Sequence, residues 1–213
     1  MILRSLKVWL PVAITLVGVC SGTARAMAHD LIYPFTANYR TTINITPVEG
    51  DISQVFEVGF SDDAPYDLEK YEGLTYSAID DEGNLTFNNN PETFGLEGYP
   101  LGYITFSGNG DNKLFGFSDA TAALDLETLT GKGSGVVYIT DGEGIFENAT
   151  STLSFSEEDT VDLGPPLTLN GLALVSGSIK VPHSVPEPTT TSVFIGMSLI
   201  GSVSLLRRRQ SIG

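Results

Sequence analysis

The sequence predicts an all-β protein: a single antiparallel β-barrel of roughly eight to ten strands, with a β-sandwich as the alternative. Three observations predict it. Apolar and polar residues alternate with period two through most of the segment 29–184. Gly, Asn and Asp gather between these runs, giving a turn signal every ~8 to 12 residues. Helical spacing is nearly absent, and the one helical candidate, 120–129, has a pattern that suits a strand equally well.

Taken in order, 35–45 is the first strand. The run 52–60 (ISQVFEVGF) puts Phe56, Val58 and Phe60 on one face and turns Glu57 to the opposite, wet face. Leu74, Tyr76 and Ala78 alternate with Thr75 and Ser77. The turn Asp81-Glu82-Gly83-Asn84 then returns the chain through Leu85 and Phe87. A second hairpin joins 103–107 to 114–118 through Gly108-Asn109-Gly110-Asp111-Asn112. A third joins 135–140 (GVVYIT) to 149–155 through Asp141-Gly142-Glu143-Gly144. The segment 167–181 supplies one or two more strands, broken near Gly177. The stretches 65–70 and 88–99 are loops. Phe56, Tyr76, Phe106 and Phe117 are the aromatic residues expected to face inward.

The ends of the chain differ from its middle. Arg4 and Lys7 precede an uncharged apolar run, 8–20, and small residues then offer cleavage after Ala26 or Ala28. This is the layout of an export signal, and the run is shorter than the ~20 apolar residues of a membrane span. The domain division is therefore a signal peptide at 1–28, with a signal helix, an acidic β domain at 29–184, and a distinct tail at 185–213. The middle holds 25 acidic residues against five cations, Arg40, Lys70, Lys113, Lys132 and Lys180, a net charge near −20. The whole-chain value of −15 conceals this, because the other six cations sit in the two ends. Such a body is repelled by nucleic acid and by anionic membrane surfaces.

In the tail, Val185-Pro186-Glu187-Pro188 is followed by the uncharged stretch 189–206 and then by Arg207, Arg208 and Arg209. As a helix, 189–206 spans ~27 Å at ~1.5 Å per residue, nearly the hydrocarbon thickness. The arginines hold its C-terminal end in the cytoplasm. Pro186 and Pro188 keep Glu187 extended and accessible. These three parts, in this order, resemble the PEP-CTERM sorting signal. The resemblance implies an exosortase, a membrane transpeptidase that cuts near the Pro-Glu-Pro, as a partner after signal peptidase. It also implies a Gram-negative host that makes exopolysaccharide, with the mature body in the cell envelope or extracellular matrix. Before processing, the C-terminal helix is the membrane anchor.

Within the body, Gly142-x-Gly144-x-Phe146-x-x-Ala149 resembles a turn of dirigent and allene-oxide-cyclase-like β-barrels. There the glycines permit a tight turn and the Phe plugs the barrel mouth. The likeness covers about 17 residues, 139–155. It departs from the family after the Ala, where Gly is usual and Thr150-Ser151 stands here.

Little in the body promises catalysis. Cys20 is the only cysteine and falls in the signal, so a mature chain has neither disulfide nor thiol nucleophile. His29 and His183, at the edges of the body, are its only histidines. The carboxylates lie in runs that read as solvated, Asp62-Asp63, Asp80-Asp81-Glu82 and Glu157-Glu158-Asp159, rather than as the isolated pair a glycosidase uses. No catalytic residue is assigned. Calcium is the one cofactor left open, with Asp62, Asp63 and Asp67 in one loop and Asp141, Glu143 and Glu147 in another as hard oxygen donors. The expected function is that of a non-enzymatic exported surface or matrix protein associated with exopolysaccharide. A barrel that holds or transforms a small ligand is the alternative.

Overall fold

The computed structural model describes residues 29–183. Nine strands follow one another: β1 (Asp30–Glu49), β2 (Ile52–Phe60), β3 (Lys70–Ile79), β4 (Asn84–Asn88), β5 (Tyr103–Ser107), β6 (Lys113–Asp125), β7 (Thr130–Glu143), β8 (Ser151–Asp162) and β9 (Leu167–Pro182). The signal helix and the transmembrane helix expected from the sequence lie outside the described residues. Among the described residues no helix is long and apolar enough to cross a membrane.

All nine strands belong to one antiparallel sheet. Pairing runs β2-β1-β9-β8-β7-β6-β4-β3, and β3 pairs again with β2, so the ladder returns on itself. β4 and β5 share one position in the ring. β5 pairs with the first half of β3, Lys70 to Leu74, and β4 with its second half, Tyr76 to Ile79. Both then pair with β6 on their other side. The chain between them, 89–102, swings outward, and Asn89 fills the break. Its amide donates to the Leu74 carbonyl at 2.6 Å, and its carbonyl accepts from the Ser118 N–H at 2.5 Å. A side chain thus supplies the rung that strand backbone would otherwise make, and leaves neither buried group unpaired.

Alternation gives each strand an inner row. Along β1 that row reads Phe35, Ala37, Tyr39, Thr41, Ile43, Ile45, and along β8 Leu153, Phe155, Glu157, Asp159, Val161. Two apolar clusters result. One joins Phe35, Tyr39, Phe106, Val137, Phe146, Leu153 and Ile179. The other joins Ile43, Ile45, Val55, Val161 and Leu169. On both β1 and β8 the apolar row is broken between the clusters by polar residues.

Several elements differ from the sequence reading. The helical candidate 120–129 is the end of β6 and its turn, paired residue by residue with β7 as far as Asp125–Thr130. Asp125 Oδ1 closes that turn by accepting from the N–H groups of Glu127 and Thr128. The segment 167–181, expected as one or two strands, is a single strand with no break near Gly177.

Of the four aromatic residues expected inside, only Phe106 packs there, against Phe35, Tyr39 and Tyr71. Phe56 is 37% and Phe117 44% exposed on the outer face. Tyr76 is buried, but under the excursion 89–102, with its hydroxyl donating to the Pro100 carbonyl and its ring edge-on to Tyr99. Space on the inner face of β2 is tight at Gly59: a Cβ there would stand 3.1 Å from Tyr39 Cβ and 3.3 Å from Thr41 Cγ2, so a side chain would require its neighbours to give by a few tenths of an ångström. Val55 and Glu57 share that inner row, and Phe56, Val58 and Phe60 are turned out.

Candidate functional site

The interior between the clusters is where unexpected chemistry collects. Glu57 does not face water outside the ring; it faces the interior. On β8, the run Glu157-Glu158-Asp159 is split by alternation. Glu158 pairs with Lys132 on the outer surface at 2.9 Å, while Glu157 and Asp159 turn inward and are buried. Tyr71, on β3, donates its hydroxyl to Glu57 Oε2 at 3.2 Å. Thr41, on β1, donates to Glu157 Oε1.

Asp159 sits between two glycines of the neighbouring strands, Gly131 on β7 and Gly171 on β9. A Cβ on Gly171 would meet Asp159 Oδ1 at 2.1 Å, so this glycine makes room for the carboxyl. Oδ1 itself is buried without a hydrogen-bond partner.

Beside these groups lies a cavity of about 60 Å³. Its polar side is Glu57, Tyr71, Glu157 and Asp159. Its apolar side is Val55, Leu85, Phe87 and Leu169, and small residues (Gly131, Gly133, Ala120, Ala122) leave the space open. Glu57 and Tyr71 are half-buried, and both line the cavity.

Burial dominates the electrostatics. It raises the Glu57 carboxyl well above the usual range; the charge of Glu157 adds to this, and the Tyr71 hydroxyl partly opposes it. Glu157 is raised by burial, offset by the hydrogen bonds from Thr41 and from a protonated Asp159. Asp159 is pushed up to about 7, by burial first and then by the neighbouring Glu157 charge. Tyr71 is raised by burial and by the same two glutamates. Among the described residues no salt bridge reaches these acids; Lys132 also lines the cavity, with its amine on Glu158. Among the described residues, Arg40, Lys70, Lys113 and Lys132 pair with Asp62, Glu72, Glu143 and Glu158 at the surface.

The calcium candidates are engaged separately. Asp62 pairs with Arg40 at 2.8 Å. Asp63 accepts from Asn38 and from Ser61, which holds its carboxyl down at about 2. Asp67 has a left-handed backbone, φ 62°. Asp141 Oδ1 accepts from the N–H groups of Gly142 and Asn148, Glu143 pairs with Lys113, and Glu147 is exposed. Among the described residues no three acidic or histidine side chains stand close enough to hold one ion. His29 and His183 are exposed. The processing positions Ala26, Ala28, Pro186, Glu187 and Pro188, and the arginines 207–209, lie outside the described residues.

The Gly142–Ala149 turn closes on the first apolar cluster. Gly144 takes φ 68°, and the fully buried Phe146 meets Tyr33 and Tyr66 edge-on at 5.4 and 5.6 Å.

A second concavity lies on the outer surface, about 360 Å³, where the 89–102 excursion leaves the ring. Phe117 is part of its wall and stacks on Tyr138 at 5.0 Å with 30° between the rings. Asn88, Asn90, Asp119 and Thr140 add donors and acceptors around it.

Sequence reasoning missed the interior acids because it took adjacent charges as one solvated run. The signal was present: Leu153, Phe155, Glu157, Asp159 and Val161 form an unbroken period-two row. No family model, curated protein or solved structure matches the chain.

Proposed function

We propose that this is an exported, non-enzymatic surface or matrix protein, delivered by exosortase processing at Pro186-Glu187-Pro188 and associated with exopolysaccharide. The ring is a β-barrel of eight staves, one of them shared by β4 and β5, and its turn at Gly142–Ala149 is similar to that of dirigent-like barrels. Sorting is supported by the order of the tail: Pro-Glu-Pro, apolar run, arginines.

The observation that carries the polysaccharide reading is the outer concavity. An exposed aromatic face bordered by amides and a carboxylate is the chemistry that recognises a sugar ring, with C–H groups on the aromatic and hydroxyls on the polar rim. The test is retention of the protein on the host's own exopolysaccharide, with Phe117→Ala as the variant. Phe117 is 44% exposed and stacks on Tyr138, so the substitution costs about 1 to 2 kcal/mol, which thermal unfolding of the variant measures beside retention. Retention should fall while the fold survives. Equal retention of variant and wild type would remove the concavity from the account.

A second reading is favoured by one specific observation, the unpartnered Asp159 Oδ1 beside an interior cavity. It is that the barrel also holds a small ligand.

A further inference from the structure

The hydrogen bonds around the outer concavity say which kind of sugar suits it. Most of its polar groups are already held. Asn89 uses both halves of its amide on the Leu74 carbonyl and the Ser118 N–H. Asn88 donates to Asp119 Oδ1 at 2.5 Å, and its own carbonyl accepts from the Asn90 N–H and the Thr93 hydroxyl. Asn90 Oδ1 accepts from the Glu92 N–H. The Thr140 hydroxyl donates to the Phe115 carbonyl at 3.4 Å, which leaves its oxygen able to accept. Three groups on the rim thus remain for a ligand: Asp119 Oδ2, the Thr140 oxygen and the Asn90 amide N–H.

Two of the three accept, and one of these is a carboxylate oxygen. A carboxylate accepts hydrogen bonds and donates none, so the ligand must bring O–H donors to it. An acidic group placed there meets a like charge. Among the described residues no Lys or Arg lines the concavity to offset that charge. The whole body, 29–184, carries a net charge near −20. Phe117, backed by Tyr138, and Leu101 supply the apolar part. Amides and a carboxylate stand directly beside this aromatic surface. The setting differs from a protein interface, whose buried core is depleted of charged groups.

We propose that the concavity binds neutral hexopyranose units of a polysaccharide and rejects acidic ones, and that Asp119 decides between them. This rests on the reading of the concavity as a sugar site. Ring C–H groups lie against Phe117 and Leu101. Two hydroxyls donate to Asp119 Oδ2 and Thr140 Oγ1, and another accepts from the Asn90 amide. Asn88 is a positioning residue: it holds Asp119 by one oxygen and leaves the other for the sugar. At about 360 Å³ the concavity admits roughly 24 water-sized groups, at ~15 Å³ each, which is the size of a disaccharide.

The test is affinity electrophoresis of the full-length chain in a polyoxyethylene detergent, which carries no sugar. The gels hold hydroxyethylcellulose or galactomannan as neutral polymers, and carboxymethylcellulose as the acidic counterpart of the first. The runs use ~1 M salt, where the screening length is ~3 Å, so that only charges in contact still discriminate. The expected result is retention by a neutral polymer at least ~10-fold stronger than by carboxymethylcellulose, the scale of one charged contact. Asp119→Asn keeps the oxygen that accepts from Asn88 and should weaken neutral binding at least ~10-fold. Phe117→Ala should weaken it at least ~5-fold. If Phe117→Ala does not fold, Phe117→Leu, which lacks the flat face, replaces it.

Equal retention by hydroxyethylcellulose and carboxymethylcellulose, both lost in Phe117→Ala, overturns the neutral class and leaves the sugar site standing. Neutral binding unchanged in Asp119→Asn overturns the role of Asp119. Neutral binding unchanged in Phe117→Ala places the sugar elsewhere and overturns both the proposal and the concavity. No retention by either neutral polymer overturns the proposal, and sedimentation of wild type and Phe117→Ala then shows whether a second copy of the chain covers Phe117 instead.

Discussion

Glu157 and Asp159 stand two residues apart on one strand and both turn their carboxyls into the ring, while Glu158 between them meets Lys132 outside. Two neighbouring acids without a cation share the interior by keeping a proton. Burial and the adjacent Glu157 carboxyl raise Asp159 to about 7, and burial raises Glu157 as well.

That proton sets the pH dependence of stability. An acid whose pKa rises on folding binds its proton more tightly in the native state. Its contribution is complete below the unfolded value, ~3.9 for Asp, and is lost as pH rises through the folded value, about 7 for Asp159. The loss is on the order of 4 kcal/mol, with Glu57 and Glu157 acting in the same direction. The exposed Asp62, Asp63, Asp80 and Asp125 act the other way: hydrogen bonds lower them, so their contribution is lost only as pH falls below ~4. Thermal unfolding from pH 2 to 9 should show greatest stability near pH ~4 to 5 and a fall toward pH 8. Asp159→Asn should flatten that fall. A wild-type midpoint that rises from pH 5 to 8 would contradict the interior protonation.

Gly171→Ala tests the same carboxyl from the facing strand. Its Cβ would meet Asp159 Oδ1 at 2.1 Å and the backbone oxygen of Glu158 at 2.4 Å. The backbone cannot yield cheaply, so a cost of about 1 to 3 kcal/mol is expected from urea unfolding. A neutral result would mean that Asp159 does not lie over Gly171.

Asn89→Ala removes the rung between β3 and β6. It leaves the Leu74 carbonyl and the Ser118 N–H without their partner, at a cost of about 1 to 3 kcal/mol for each buried group. Amide hydrogen exchange should show faster opening at Ser118 than in the body of β7 and β8. Equal protection in variant and wild type would show that the strand break does not need the side chain.

Phe146→Ala empties a fully buried site among Tyr33, Tyr66 and the first apolar cluster. The expected loss is about 3 to 5 kcal/mol, read by denaturant unfolding. A loss below ~1 kcal/mol would mean that the turn closes the ring without its aromatic plug.

Much of the fold was legible in the sequence. Alternation and turn residues placed the strands, and Gly142-x-Gly144-x-Phe146 marked its turn. What failed was the choice of inner face. On β2, three apolar side chains, Phe56, Val58 and Phe60, outvoted Val55 and Gly59, yet it is the row with the glycine that passes closely over Tyr39 and Thr41. On β3, Tyr76 is buried from outside by the excursion 89–102, a layer that no local pattern announces. The interior acids needed two facts at once: the parity of β8, which the sequence contains, and the glycines opposite, Gly131 and Gly171, which only the register brings beside Asp159.

Delivery to the surface is the central claim, and the most direct measurement of it is the intact mass and location of the mature protein in host cells with and without exosortase. The expected result is a body ending near Pro186 to Pro188, found outside the cell and lost from there when exosortase is missing. A chain that still carries Arg207, Arg208 and Arg209 and stays in the membrane in both strains would contradict it.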